Sequence, residues 1–561
     1  MKKNAVNQKD TVIKKTNAAA AAREKTAAAG ATARPMRNSG YSDAGASHIK
    51  KAVRAFNARS SSPQDDIDLN NDTLRQRARM LYMASPIAAS AIKTNRTNVV
   101  GVGLKLESRV QREILGWTPE HAEEWQKKTE LEFSLWADSK RACDATGVNN
   151  FYGIQQLSLV SWLLSGDCFL LIQMTEPSWR FPYSMRLHVV EADRVATPWG
   201  SAVNSNVTTG RNPDNGTLIY DGVEINDSGA VEAYHVRSNY PYEMTLAETK
   251  WTRIEAYQPN TGLPNVIHIM DAERPDQYRG VTYLAQVIEP ILQLRRYTES
   301  EIMAALVESF FTAFIKTNAD TSEMPFNETD EPPAYPTGEN DYSLGPGTVN
   351  VMQPGEDVTF GDPKRPAEGF PAFVKEISKQ IGAALEIPVD LLLKEFNASY
   401  SASRAALLEA WKGFKMRREW LTQSLCDPVY EIWMCEAVAR GRIQAPGFFN
   451  DPLMRAAYLS ARWIGPSQGQ IDPVKEITAE IMACSEGFST HEQSTVKLNG
   501  GNWDSTIDQL ARENEKLNGR MPDQHQENKD AAAASLKHVI MDSVKDSIKE
   551  SVKEVRDERK D

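Results

Sequence analysis

The chain has 561 residues, is 41% hydrophobic and carries a formal charge of −11. That length exceeds one ordinary core, so several structural units are expected. With a mean hydropathy of −0.48 and no apolar run approaching the roughly 18 residues of a membrane helix, a membrane-spanning helix is excluded. The N-terminus lacks the apolar core of a secretory signal, and the chain is expected to be made and used in cytosol.

Charge is placed unevenly. Residues 1–59 hold thirteen Lys and Arg against Asp10, Glu24 and Asp43, so this arm is +10 and the rest of the chain carries −21. Rich in Ala, Asn, Lys and Ser, the arm (1–64) has too few large apolar residues to form a core and is expected to be flexible. Its charge suits nucleic acid, a scaffold partner or simple solvation. The body is the reverse of a protein that grips DNA by releasing counterions.

Within 73–98 the pattern is helical in two pieces, the first capped by Asp72 and the second opened by Ser85–Pro86. Residues 99–106 read as a strand. Thr118–Pro119 opens a helix carrying Trp125, Thr129, Phe133 and Trp136 at helical spacing. Residues 151–164 form another helix, and Gly166–Asp167 turns the chain into a strand at 168–174. The stretch 186–270 is strand-rich (187–190, 231–236, 266–270), with Asn226-Asp227-Ser228-Gly229 as a hairpin turn. The pattern is α+β rather than a βαβ alternation.

Residues 281–314 form a long helix, with a kink expected at Pro290. Residues 318–369 are dense in Pro, Gly, Asp and Glu, with one β-like stretch at 348–352. Helix returns at 370–385, Pro388 stops it, and 389–399 is expected to be a loop. A second long helical region covers 401–440, and a smaller helical zone 472–520. In 531–554, Leu536, Val539, Ile540, Val544, Ile548 and Val552 form one apolar stripe, which needs either another chain or this chain's own body as a partner.

Motifs for chemistry are missing. There is no GxxxxGK[ST] or GxSxG, and Gly101-Val-Gly103 lacks a third glycine. The five cysteines form no CxxC pair and read as free structural thiols. Histidines such as His188 and His268 sit alone in β-like runs, where packing or exposure explains them better than metal ligation. Acid pairs such as Glu191 with Asp193 and Glu356 with Asp357 are no denser than chance allows. No catalytic residue, metal site or cofactor is expected.

Several stretches carry a resemblance. They are Arg77-Ala-Arg-Met-Leu-Tyr-Met-Ala-Ser-Pro-Ile-Ala-Ala-Ser-Ala-Ile92 with Asn98-Val-Val-Gly-Val-Gly103; Gly222-Val-Glu-Ile-Asn-Asp-Ser-Gly229 with Ala233-Tyr-His-Val236; and Arg274-Pro-Asp-Gln-Tyr-Arg-Gly-Val281. Ser399-Tyr-Ser401 follows with Arg404-Ala405, Glu409 and Trp411, then Trp463-Ile-Gly465 and Asp472-Pro-Val-Lys-Glu476. In this order and spacing, residues 65–520 resemble the lambda-type family of tailed-bacteriophage portal proteins.

The resemblance implies a portal fold: a wing (65–280), a stem helix (281–314), a small β-containing clip (315–369), a second stem helix (370–387), a tunnel loop (388–400), a long helix and wing return (401–470) and a helical crown (471–530). The basic arm (1–64) and the C-terminal amphipathic helix (531–561) are individual to this chain. It also implies a homododecameric ring at one capsid vertex of the virion, assembled in the host cytoplasm and not on a membrane, through which double-stranded DNA passes. The terminase large subunit, capsid and scaffold proteins, and head-completion or adaptor proteins are the implied partners. Lys394, Glu395, Phe396, Asn397, Ser399 and Tyr400 would meet DNA in the tunnel, with Ser401 and Arg404 bracing or capping the loop. Ser399 and Ser401 also suit helix N-capping, and Trp411, Trp420 and Trp433 suit packing rather than base stacking. Two other readings stay open: another phage tail or baseplate ring protein, and a metal-dependent DNA-processing enzyme.

Overall fold

A computed structural model describes residues 46, 50–56, 58–198, 208–243, 248–309, 313–317, 356–360, 369–396, 399–469 and 473–520. The chain divides into two units, 1–61 and 62–561. In the first, Lys51–Arg54 makes one helical turn. Most of the basic arm, the stretch 348–352 and the C-terminal amphipathic segment lie outside the described residues.

The second unit opens with a wide helical turn, Gln64–Asp68, that runs directly into α1 (Leu69–Ala84). Asp72 is therefore not the helix cap. It sits inside the first turns of α1, where its carboxylate accepts from Gln76 (3.0 Å). Ser85 and Pro86 do start α2 (Pro86–Val99), because Pro is tolerated at the first helical position. The chain continues through β1 (Lys105–Ser108), α3 (Pro119–Ala137), α4 (Phe151–Ser165), β2 (Asp167–Met174) and β3 (Met185–Glu191). The first strand thus starts later than 99, since Gly101 and Gly103 both take positive φ and break extended structure. Thr118 Oγ1 caps α3 by accepting from the His121 amide (3.3 Å).

Next come β4 (Thr209–Arg211), β5 (Leu218–Tyr220), β6 (Val223–Ile225), β7 (Val231–Arg237), β8 (Trp251–Glu255) and β9 (Val266–Met270). Strands β4 to β8 form an antiparallel meander in chain order, and β9 returns to β2 in a three-stranded sheet of order β3-β2-β9. The turn between β6 and β7 is the one expected at Asn226–Gly229: Asn226 Oδ1 accepts from the Ser228 and Ala230 amides. A small core of Phe169, Val190, Val195, Val223, Tyr234, Val236 and Val266 joins the two sheets.

After a short turn at Ala285–Val287, α5 spans Ile288–Ser309. Pro290 falls in its first turn, where the missing N–H has no partner to lose, so it helps start α5 rather than kink it. Then β10 (Ala313–Thr317), just before the Pro- and Gly-rich insertion, pairs antiparallel with β11 (Glu356–Phe360) inside it. It is followed by α6 (Phe370–Ala384), a short α7 (Val389–Leu393) and α8 (Tyr400–Leu421). A wide turn, Thr422–Cys426, joins α8 to α9 (Asp427–Ala439), where Pro428 removes one backbone donor from the ladder. Next are α10 (Pro452–Leu459), then β12 (Ala461–Ile464), which pairs antiparallel with β1 and ties the return to the N-terminal half. Helices α11 (Pro473–Ser485), α12 (His491–Asn499) and α13 (Trp503–Arg520) close the described chain.

The large core gathers the buried faces of α1 to α4, α8 and α9 over the three-stranded sheet. At its centre Phe133 meets Trp433 edge-on (5.0 Å between ring centres), and the Trp136 indole donates to the Met185 carbonyl (2.9 Å). Trp411 and Trp433 are buried, and Trp420 packs on Trp162 (6.4 Å), so the tryptophans of α8 and α9 pack as expected. All five cysteines are free thiols, four of them buried. Among the described residues no helix is long and apolar enough to cross a membrane.

Candidate functional site

Helices α5 and α6 lie side by side, Tyr297 facing Phe370 (5.4 Å) and Phe373 (4.9 Å). At the end of α6 the chain folds back sharply. A Cβ on Gly382 would sit 2.5 Å from the Ile387 carbonyl, so only glycine admits the return. Glu386 turns the corner with φ +53°, a left-handed conformation uncommon for a side chain of this kind. The segment expected to be a loop from 389 is helical at its start. Pro388 is the N-cap of α7, its carbonyl accepting from the Leu391 and Leu392 amides (3.0 Å each); Asp390 sits in the first turn, and buried Leu392 anchors the helix. Lys394 ends α7 with φ +58°, the second left-handed non-glycine residue within nine positions.

This short segment is held from below by α2. The Ser90 hydroxyl donates to the Leu392 carbonyl (2.7 Å), and the Lys394 ammonium donates to Thr94 Oγ1 (2.7 Å). Partial burial lowers the Lys394 pKa. The Glu395 amide donates to the Asp390 carbonyl (3.0 Å), and Phe396 is 55% exposed. Asn397 lies outside the described residues. Ser399 caps α8, its hydroxyl accepting from the Ala402 amide (3.4 Å). Ser401 is not a cap. Ser399 takes the extended capping conformation, while Tyr400 and Ser401 are already the first two residues of α8.

Two arginines outside the candidates named from sequence brace this corner from α8. Arg417 is buried; it donates to Glu386 (2.7 Å) and to Asn95 Oδ1 (3.3 Å), and its guanidinium lies 5.0 Å over the Tyr283 ring. The Tyr283 hydroxyl in turn donates to the Leu385 carbonyl. Arg418 donates to three carbonyls, Val99 (2.9 Å), Asn98 (2.8 Å) and Pro466 (2.8 Å). Burial brings its pKa down to about 10. A signal was available: Ala410, Phe414, Arg417 and Leu421 are spaced 4, 3 and 4 apart on one buried stripe, and a cation on such a stripe must be paired. Arg404, named for this role from sequence, lies in the first turns of α8.

A second cluster fixes the start of α5. The fully buried Arg279 donates to Asp167 Oδ2 (2.6 Å), the Val195 carbonyl (2.8 Å) and the Ala192 carbonyl (2.9 Å), and pairs with the Asp221 carboxylate (2.8 Å). Arg75 of α1 reaches the Ser165 carbonyl (3.1 Å) and Asp221 (3.3 Å). Burial alone would raise the Asp167 pKa, yet the Arg279 and Arg75 guanidiniums override it and hold the group well below the carboxylate range. Three acids share two guanidiniums, and Asp68 loses that contest: burial, then the Asp221 charge, push it up to about 7. His268 stacks on Phe169 (4.2 Å) 3.5 Å from Asp167, and burial lowers its pKa. Beside this cluster Gly280 presses on Gly166 so closely that a Cβ on Gly280 would lie 1.9 Å from the Gly166 carbonyl oxygen. The motif Arg274 to Val281 is thus a structural lock: it pins the segment leading into α5 onto the β2 corner and the turn at Asp221. Among the described residues no group of three or more His, Cys, Asp and Glu is arranged to hold a metal ion.

The family described as "Phage portal protein, lambda family" matches residues 50–418, about two thirds of the chain. The chain belongs to this family. The match runs from before α1 to Arg418, and so takes in the Arg279 lock, α5, α6, the braced segment and both bracing arginines. Over 488 residues the chain is 25% identical to Portal protein B of Escherichia phage lambda, covering 84% of this chain and 88% of that protein. Against the portal protein of Escherichia phage N15 the identity is 26% over 479 residues, covering 82% and 87%. A probable portal protein of Halomonas phage phiHAP-1 is 24% identical over 416 residues, covering 73% and 74%. The solved neck of a native GTA particle aligns with 76% of this chain and 93% of its own, with a TM-score of 0.41 and 12% identity.

Proposed function

We propose that twelve copies of this portal-family chain close into a ring at one vertex of the virion, and that double-stranded DNA enters and leaves the capsid through its bore. Membership of the lambda portal family over residues 50–418 carries this reading. In it α5 and α6 are the stem, residues 315–369 the clip that meets the terminase large subunit and later the head-completion or adaptor proteins, and 388–400 the tunnel segment. Capsid and scaffold proteins surround the ring during assembly in the host cytoplasm.

The physical chemistry supports it in three ways. On α5, Ile302 is 67% and Met303 58% exposed, an apolar surface that neighbouring copies would cover in a head-to-tail ring. A charge of −21 beyond residue 59 repels a duplex and avoids the salt-dependent grip that each phosphate-paired cation would add. In the tunnel segment Lys394 is tethered to Thr94, and the exposed Phe396 is the side chain that would touch passing DNA transiently. The work of the chain is then structural; the ATP-driven motion belongs to a separate motor.

Two variants test it. Ile302→Glu with Met303→Glu is expected to leave a folded subunit that no longer closes into rings. Shortening 395–398 is expected to leave rings intact while DNA packaging or retention fails. Rings that form normally with both glutamates, or full packaging with the shortened segment, contradict the assignment.

A further inference from the structure

We propose that the hairpin joining β2 to β3 is a docking surface for an acidic segment of another polypeptide. The turn is tight and fully bonded: the Ser178 amide donates to the Phe181 carbonyl (2.9 Å) and the Phe181 amide to the Ser178 carbonyl (3.1 Å), leaving Trp179 and Arg180 alone at the tip. Trp179 is 95% exposed there, and Met174 beside the hairpin's base is exposed as well. A rigid turn that holds a whole indole in water spends stability unless something covers it.

The base of the hairpin is anchored rather than loose. Glu436 of α9 accepts from the Ser184 (2.6 Å) and Met185 (3.1 Å) amides, and the Tyr183 hydroxyl donates to Glu132 (2.9 Å). The indole is therefore presented in one place, with little ordering left to do on binding.

Charge names the partner. Two guanidiniums flank the Phe181 ring, Arg180 at 5.8 Å and Arg141 at 5.5 Å. Among the described residues neither has a carboxylate within ion-pair distance, so both charges stay open to a carboxylate from outside. A third, Arg186, donates to Thr175 Oγ1 (2.8 Å) at the foot of the same hairpin. Against them the loop between β2 and β3 holds one acid, Glu176. Guanidiniums without carboxylates on a hairpin that also presents an exposed indole are the residue types that anchor protein interfaces, the ring filling a pocket and the cations meeting carboxylates. A DNA duplex fits poorly: it needs a track of cations along its backbone and keeps its bases stacked away from an indole.

Fluorescence anisotropy of a labelled random glutamate–tyrosine copolymer, titrated with the full-length protein, tests this. The basic residues of 1–59 also attract the copolymer, so the readout is the difference made by Trp179→Ala, which leaves the charge untouched. Binding is expected to weaken about tenfold in Trp179→Ala and at least as much in Arg141→Glu with Arg180→Glu, with unchanged thermal melting. Should the charge-reversed protein fail to fold, Trp179→Ala decides alone, because its side chain supports nothing. Equal binding by wild type and Trp179→Ala overturns the proposal. Displacement of the copolymer by a single-stranded thymidine oligonucleotide in wild type but not in Trp179→Ala overturns it too, and marks a nucleic-acid surface instead.

Discussion

Asp68→Asn isolates the electrostatics of the buried lock. Asp68 is 4% exposed, and burial with the Asp221 charge raises its pKa from 3.8 to about 7. In the unfolded chain the group loses its proton near pH 4; in the fold it keeps it to about pH 7. Between those values the folded state binds the additional proton, so this group's contribution to stability falls as pH rises through the window and levels off above it. Each pKa step is worth about 1.4 kcal/mol, so the whole loss is about 4 kcal/mol, of which about 3 kcal/mol falls between pH 4.5 and 8. Asparagine keeps the shape and stays neutral throughout. A cooperative unit of about 500 residues unfolds with an entropy near 1 kcal/mol per degree, so the melting-temperature advantage of Asp68→Asn over wild type should grow by about 3 °C between pH 4.5 and 8. Differential scanning calorimetry at one protein concentration measures it. Parallel profiles for the two proteins, or an advantage that shrinks with rising pH, would refute the placement of a neutral acid in this cluster.

Three further outcomes follow from the same geometry. Gly280→Ala should abolish soluble expression, because its Cβ would overlap the Gly166 carbonyl while Arg279 prevents retreat; Gly116→Ala, whose Cβ meets nothing within 4 Å, should cost only about 1 kcal/mol of backbone strain. Arg418→Met strands three carbonyls and should lower stability by about 3 kcal/mol or more, read as a shift in the denaturation midpoint. Glu386→Ala should be less stable than Glu386→Gly by about 1 kcal/mol, since both lose the Arg417 contact and only glycine relieves the left-handed corner.

Local signals in the sequence carried much of the fold. Proline at first helical positions located α2 and α3, and the Asn-Asp-Ser-Gly turn located the β6–β7 hairpin. Apolar runs found β2, β3, β7 and β9. What failed depended on tertiary partners. Asp72 looked like a cap only because the wide turn Gln64–Asp68 has no apolar period of its own. The segment 389–393 read as loop because its helix is one turn long and is held by Ser90 and Thr94, about 300 positions upstream. The candidate site was half legible. Ser399 was recognisable as a cap from its chemistry, whereas Arg417 and Arg418 act through carbonyls and carboxylates that are distant in sequence. Arg279 stood inside a recognised motif, but its partners Asp167 and Asp221 could not be paired with it without the fold.

The central claim is that copies of this chain are incomplete alone and close around a bore. Native mass measurement of the purified full-length protein, with electron-microscope class averages of the same sample, tests it most directly. A closed ring of twelve subunits with a central hole is expected. A protein that stays monomeric at micromolar concentration, or assembles without a hole on its symmetry axis, would contradict it.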